Sequence, residues 1–438
     1  MPHNLFEKFK YNLNRNIYLY SIILIFTFNI WRVEKLLYYE FFRAEDLTVL
    51  FKDNLEQGSN SLLLPVVDHY NTIARLVAFI VSIFTIKYAP QLYIIISLLL
   101  SSFSLALFAK HSFRWIVKND YLRIFTCLVF SFSQGSHDAI FSVCTTVYCF
   151  TIAEIFIFLE VNKDGIRDIS WLKVLVLLLL FLSSPNSIIV LPLIFYLYFQ
   201  SKNIKYLHIS LLLLFTTLLN VQAKSNFDHT NMFTFSPVYL IQNYINTFCL
   251  KFLINPTFSV LAIQSIQKVD FNTIQIIFCL LFAVISTIII FNNNKKLKLL
   301  YVSLLSLNIF SILLLVSRTY PFDFYFYHFY LRHSFMYAIF GFVFMLFIIE
   351  NFINKYKFVV YPCSYLLLAI FSLNVPLFID VQVDKSLENY WTITASKIES
   401  VLSLKKEGLL HEDAKFVVNK TPDPYIPPFE MTIKSKDY

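Results

Sequence analysis

The chain has 438 residues, 57% hydrophobic and only 15% charged, and its formal net charge is +8. Soluble globular proteins carry about 25% charged residues, so this composition excludes an ordinary soluble enzyme. The apolar runs are long and do not alternate, which excludes a transmembrane β-barrel, and the positive charge, lodged mostly in short loops, suits anionic lipid and membrane topology rather than nucleic acid.

Many apolar runs approach or reach the roughly 20 residues that span a bilayer. The expected fold class is therefore an all-α polytopic membrane protein with about 11–13 transmembrane helices and a small mixed α/β C-terminal cap. Glycine is scarce, at 5 residues, against 49 Phe and 27 Tyr. Close helix packing must come from aromatic and β-branched side chains, with Ser partly replacing Gly, and this weighs mildly against a transporter built on broken helices. The cysteines at 127, 144, 149, 249, 279 and 363 lie in or beside apolar runs, lack metal-ligand spacing and imply no disulfide framework.

Residues 1–16 carry Lys8, Lys10 and Arg15 and are expected in the cytoplasm. Ile17 to Trp31 is apolar without a small-residue cleavage site, so it reads as the first membrane anchor rather than a signal peptide. The loop 32–70 holds Glu34, Glu40, Glu45, Asp46, Asp53, Glu56 and Asp68 against Arg32, Lys35, Arg43 and Lys52, a balance that favours the outer face. Within it, Glu45 to Gln57 reads as a short surface helix, with Leu47, Leu50, Phe51 and Leu55 at helical spacing and Gly58 as its stop.

Further apolar runs lie near 71–88, 91–109, 121–133, 140–160, 171–184, 187–200, 207–221, 273–291, 299–317, 332–349 and 358–378, and 246–266 is a candidate surface, re-entrant or spanning helix. Pro90 and Pro185-Asn186 mark helix boundaries. The basic loops 110–123, 161–173 and 201–205 are expected on the cytoplasmic side, and Gln134 to Asp138 outside. With the first loop also outside, one segment between 71 and 133 must fail to cross, and the sequence leaves open which. Residues 1–379 then form the transmembrane domain, with external loop 38–70, and 380–438 a small soluble cap, expected outside. In the cap, Ser386 to Leu404 has helical periodicity, and Phe416-Val417-Val418 and Met431-Thr432-Ile433 read as strands.

Glu45-Asp46 is the first candidate for chemistry. A partly desolvated carboxylate at a membrane surface can serve as general base toward a sugar hydroxyl; acids at a helix start are also what the helix macrodipole favours. Adjacent acids project to different sides of a helix, so one of the two reaches a given site. His137-Asp138 sits in a polar break between apolar runs, where Asp138 could orient an acceptor or simply start a helix. Glu154, inside an apolar run, is the residue that most supports a transport function. No P-loop, dinucleotide-binding glycine pattern, Ser-His-Asp spacing or zinc motif is present.

A long first external loop that opens with acids resembles the GT-C superfamily of integral-membrane glycosyltransferases, which use polyprenyl-phosphate-linked sugars. The string Ala44-Glu45-Asp46, a surface helix, Gly58, Pro65, Tyr70 and Arg75 is similar to a bacterial branch of that group, except that His69 stands where a glycine is usual and no glycine follows Asp46. Ser317-Arg318-Thr319-Tyr320 followed by Arg332 resembles its late external loop, and Pro427-Pro428-Phe429-Glu430-Met431 its tail.

The resemblance implies a GT-C-like fold and inverting transfer to a surface-glycan or lipid-linked acceptor, with the site on the periplasmic or exterior face of the plasma (inner) membrane. Asp46, slightly ahead of Glu45, is the implied base. Arg75, Arg318 and Arg332 are candidate partners of the donor phosphate, although arginines at helix ends also snorkel to headgroups. His69, His137, Asp138 and Tyr320 complete the expected substrate-binding set. No metal ligands are assigned; some members of the group use a divalent cation, which acids such as Asp138 could help hold. Membrane lipids are the further expected partners. The alternative is a transporter, flippase or polymerase of lipid-linked glycans.

Overall fold

The computed structural model describes residues 2–38, 40, 42, 45–66, 69–84, 86–132, 136–161, 169–225, 294–303, 306–307, 331–352, 362, 390–418 and 429–435. The apolar runs 246–266, 273–291 and 358–378, together with the loop holding Arg318 and Tyr320, lie almost wholly outside these residues.

The described part is mostly helical, with one small antiparallel sheet. Helix α1 (Pro2–Arg32) departs from helical geometry at Asn16, where the polar N-terminal residues give way to the apolar run. The short α2 (Glu34–Tyr38) leads into the first loop. There a π-helical turn (Asp46–Phe51) runs into α3 (Lys52–Gln57). The expected helix from Glu45 to Gln57 is present, and Gly58 ends it at φ 56°, ψ −133°, a conformation that favours glycine. Leu47, Leu50 and Phe51 are buried in the protein, so this face serves packing rather than contact with lipid.

Then come α4 (Thr72–Ser82), α5 (Ala89–Ala106), α6 (Asp120–Phe130), α7 (Ser136–Ile140), α8 (Val147–Val161), α9 (Trp171–Phe181), α10 (Leu191–Ser201) and α11 (Ile204–Ser225). Further on lie α12 (Leu331–Phe352) and α13 (Tyr390–Lys406). Pro90 occupies the first turn of α5, where a missing N–H costs nothing. Two stretches among the described residues, Ile86–Ala109 and Ile204–Ala223, are long and apolar enough to cross a membrane.

Aromatic side chains fill the main core. Phe156 lies 5.6 Å from Phe108, 5.5 Å from Phe113 and 5.3 Å from Phe340, measured between ring centroids. Serine takes the small-residue role: Ser97, Ser101, Ser102 and Ser104 of α5 are all buried, as is Ser21 of α1. Their hydroxyls bond backbone carbonyls, Ser21 to Ile17 at 2.8 Å and Ser102 to Leu98 at 2.7 Å, so they cost little to bury and let helices approach.

The helix ends sort into two groups. At one end, Glu160 joins Lys110 at 3.4 Å and Lys173 at 3.2 Å, and Lys205 donates to the carbonyl of Ile169 at 3.4 Å. Lys110, Ile169, Lys173 and Lys205, from the basic loops 110–123, 161–173 and 201–205, therefore lie at one end of the helices. At the other end, the amide of Thr72 donates to Leu182 at 3.3 Å and that of Tyr70 to the side chain of Asn220 at 2.8 Å. The run 71–88 starts and finishes at this second end: Thr72 touches Leu182, and the carbonyl of Ile86 accepts from Trp391 Nε1 at 2.9 Å. Helix α4, with 11 residues, rises about 16 Å, and its Ala78 carbonyl accepts from Asn54 in the first loop at 3.3 Å. Both ends of this run therefore touch elements at the same end of the helices.

The C-terminal part folds as its pattern suggests, with α13 followed by β1 (Ala414–Val418) paired antiparallel to β2 (Phe429–Ile433), Phe416 opposite Met431. It shares a core with the first loop, where Trp391, Ala395, Ile398, Val418, Met431 and Ile433 pack with Phe42, Leu47, Leu50 and Phe51. The Trp391 ring meets Phe42 at 4.7 Å and Phe51 at 5.1 Å, both edge-on. Glu40, at φ 52°, caps α13 by accepting from the Thr392 amide at 2.9 Å and its hydroxyl at 2.6 Å. Glu56 accepts from the Thr432 amide at 2.8 Å.

Trp391 holds this junction, so Trp391→Ala is expected to loosen the C-terminal part by about 3–5 kcal/mol. Limited proteolysis of the detergent-solubilised protein should cut the 407–413 turn faster in the variant while the helical core stays resistant. Equal cleavage of both proteins would count against the shared core.

Candidate active site

Asp46 and Glu45 begin the same helical turn and have different surroundings. Asp46 is 1% exposed. Its Oδ1 accepts from the Ser142 hydroxyl and the Cys144 amide, each at 3.0 Å, and its Oδ2 from the Val143 amide at 3.1 Å. These amides open the helical stretch that begins with a 3-10 turn (Cys144–Thr146) and continues as α8. Asp46 thus caps a helix 97 residues away, where two free N–H groups and the positive end of the dipole favour a carboxylate. Glu45 has an intermediate exposure. Of the two acids, Asp46 is committed to internal bonds and Glu45 is the one nearer to solvent.

Burial pushes the Asp46 carboxyl up to about 6; the bonds from Cys144, Ser142 and Val143 pull it down, and the neighbouring Glu45 charge adds to the rise. Desolvation wins. The carboxyl therefore titrates near neutrality, the range in which proton transfer is effective, and the same environment would arise at a purely structural cap.

Asn71 ties the start of α4 to the same turn. Its Oδ1 accepts from the Ala74 amide at 3.1 Å, and its Nδ2 donates to the Cys144 carbonyl at 3.3 Å. Arg75, one turn on, is 1% exposed. Its Nη2 pairs with Asp53 at 2.8 Å and donates to the Pro65 carbonyl at 2.6 Å, while Nε reaches the Leu64 carbonyl at 3.2 Å. Its Nη1 is buried without a hydrogen-bond partner among the described residues. Most of this guanidinium is spent on holding the first loop, which leaves Nη1 with its two N–H groups.

His69 occupies the position where the resemblance calls for glycine. It forms an isolated antiparallel bridge with Val66, its backbone donating to Val66 O at 3.2 Å and accepting from Val66 N at 2.6 Å. Tyr93 of α5 lies near Asp46, Arg75 and Cys144, and its hydroxyl is buried and unpartnered among the described residues. Its position inside an apolar run gave the sequence no signal for it.

His137 and Asp138 lie on the short α7, and Arg332 in the first turn of α12, but their side chains fall outside the described residues, as do Arg318 and Tyr320 entirely. Among the described residues no three His, Cys, Asp or Glu side chains come together as a metal-binding group.

The raised carboxyl has a measurable sign. Asp46 holds its proton more tightly in the fold, at about 6, than at its ordinary 3.8. Between those values the native state binds more protons than the unfolded one, so this contribution to stability falls as pH rises from about 4 to about 6 and is flat above. The span is on the order of 3 kcal/mol. In Asp46→Asn the slope is absent, and an amide N–H faces the Val143 N–H, which costs a further 1–3 kcal/mol or so. Thermal unfolding midpoints across this range should show the wild type losing part of its advantage as pH rises. A gap independent of pH would refute the assignment.

A scan against protein-family models finds no match to this chain, and searches of the curated proteins and of the solved structures find none either.

Proposed function

We propose that the chain is a multi-pass glycosyltransferase of the plasma (inner) membrane, of GT-C-like layout, that transfers a sugar from a polyprenyl-phosphate donor to a surface-glycan or lipid-linked acceptor. The observation that carries this reading is the acid pair itself. A buried Asp46 locks the first loop to the start of α8, with three donors on one carboxylate, and leaves the adjacent, more exposed Glu45 on a fixed backbone. A general base needs a fixed position and access to the acceptor proton. Asp46 supplies the first here, so we assign the base to Glu45 and positioning to Asp46, the reverse of the slight preference drawn from the sequence.

In this scheme Glu45 takes the proton of the acceptor hydroxyl. The freed oxygen attacks the anomeric carbon, a new C–O bond forms with inversion, and the bond to the lipid phosphate breaks. The phosphate leaves as a dianion that needs cationic partners. The unpartnered Nη1 of Arg75 is one candidate, and Arg318 and Arg332 are the others by resemblance, with His69, His137, Asp138 and Tyr320 toward the substrates. The half-length α4 supports the arrangement in the membrane: with one crossing by α5 alone between the first loop and the loop 110–123, the acids and the C-terminal cap fall on the face opposite the basic loops, the exterior or periplasmic one by the positive-inside rule.

Transport, flipping or polymerisation of lipid-linked glycans is the second reading. It is favoured by one observation, the fully buried carboxylate of Glu154 in the middle of α8.

The test uses membranes of a strain lacking the native gene, carrying wild type, Glu45→Gln or Asp46→Asn, with sugar transfer from radiolabelled polyprenyl-phosphate sugar as the readout. Glu45→Gln is expected to insert normally and lose transfer by roughly 100-fold or more. Asp46→Asn should lose transfer together with thermal stability. Full activity in both variants would remove the site.

A further inference from the structure

The midpoint of α8 holds a second carboxylate that the glycosyltransferase reading does not use. Glu154 is seven residues from either end of the helix Val147–Val161, so it lies about 10 Å from each end by helical rise. It is 0% exposed. Its Oε1 accepts from the Ser187 hydroxyl at 2.6 Å, and its Oε2 has no hydrogen-bond partner among the described residues.

The neighbourhood is built from two spaced pairs. Thr151 and Glu154 are one turn apart on α8. Ser184 and Ser187 are three apart at the break between α9 and α10, where Ser184 is extended and Pro185–Val190 forms a 3-10 turn. The pairs face each other: Thr151 Oγ1 and Ser184 Oγ are 3.0 Å apart, and Ser187 meets Glu154. Ser184 also donates to the Val147 carbonyl at 3.3 Å. Oxygen atoms thus line one seam through an otherwise apolar core.

A buried carboxylate is tolerated only when its charge is neutralised. Among the described residues no Lys, Arg or His forms an ion pair with Glu154. Oxygen ligands without a fixed cation suit a small hard cation or a proton.

We infer that Glu154, with Ser187 and the Thr151–Ser184 pair, is an exchangeable monovalent-cation site in the centre of the helical bundle, occupied by a proton or an alkali ion. It stands on these contacts alone and on neither reading of the overall activity. The break at Ser184-Pro185 provides the hinge at which ligand oxygens can adjust, because the backbone there is already outside a continuous helix.

The probe is dicyclohexylcarbodiimide, which adds to protonated carboxyls in apolar surroundings, applied to the full chain in detergent, with the modified peptide mapped by mass spectrometry. Wild type is expected to be labelled at Glu154, and Glu154→Gln, close in shape and able to accept from Ser187, to remain monodisperse and unlabelled there. For a proton site, labelling falls roughly ten-fold per pH unit above the midpoint and ignores added Na+ or Li+. For an alkali-ion site, Na+ or Li+ suppresses labelling at fixed pH. Either dependence should move in Ser187→Ala, which packing alone would not cause. Absence of label at Glu154, or label indifferent to both pH and salt, overturns the inference.

Discussion

The carboxylate of Asp46 on the Ser142 hydroxyl and the Val143 and Cys144 amides is the contact on which the rest of this end of the protein depends. It joins two features that are each costly alone. The start of α8 presents unpaired N–H groups inside the protein, and Asp46 brings a charge into the same dry region. Together each satisfies the other, and because the site is buried the bonds act in a low dielectric, where they are strong and loss of one partner is expensive. Asn71 then connects the start of α4 to the same turn, and Arg75 binds α4 back to the loop through Asp53 and two carbonyls. Beside its apolar face, the loop is thus fixed by polar bonds to elements remote in the chain.

The acids of the first loop divide by task. Glu40 and Glu56 fasten the C-terminal part, Asp53 neutralises Arg75, and Asp46 caps α8. An excess of acids that looks like a sign of outward orientation is, at these four positions, a set of individual partners for amides and a guanidinium. Glu45, the other carboxylate of the helical turn, stands on the backbone next to Asp46 and is more exposed.

Much of the fold was legible. The helices follow the apolar runs, Gly58 and Pro90 stand where their backbone preferences put them, and the two short strands of the C-terminal part were evident from alternation. Two matters were not. A run such as 71–88 is apolar whatever its ends touch, here Leu182 and Trp391. Likewise, adjacent acids differ in role only because one of them meets donors nearly a hundred positions away, and spacing carries no trace of such a partner. The candidate site was legible as a location, the acid pair after the first helix, and not as a division of labour within it.

The junction between the first loop and the C-terminal part spans most of the chain: Glu40 binds Thr392 across 352 positions, and Glu56 binds Thr432 across 376. During synthesis the loop emerges among the first residues and its partner among the last described. Until that late segment arrives, Phe42 and Phe51 lack Trp391, and Glu40 and Glu56 lack the amides that hold them. The loop therefore waits, incomplete, while more than 350 further residues are made. A chain terminated before Thr392 lacks the partners that finish its first loop.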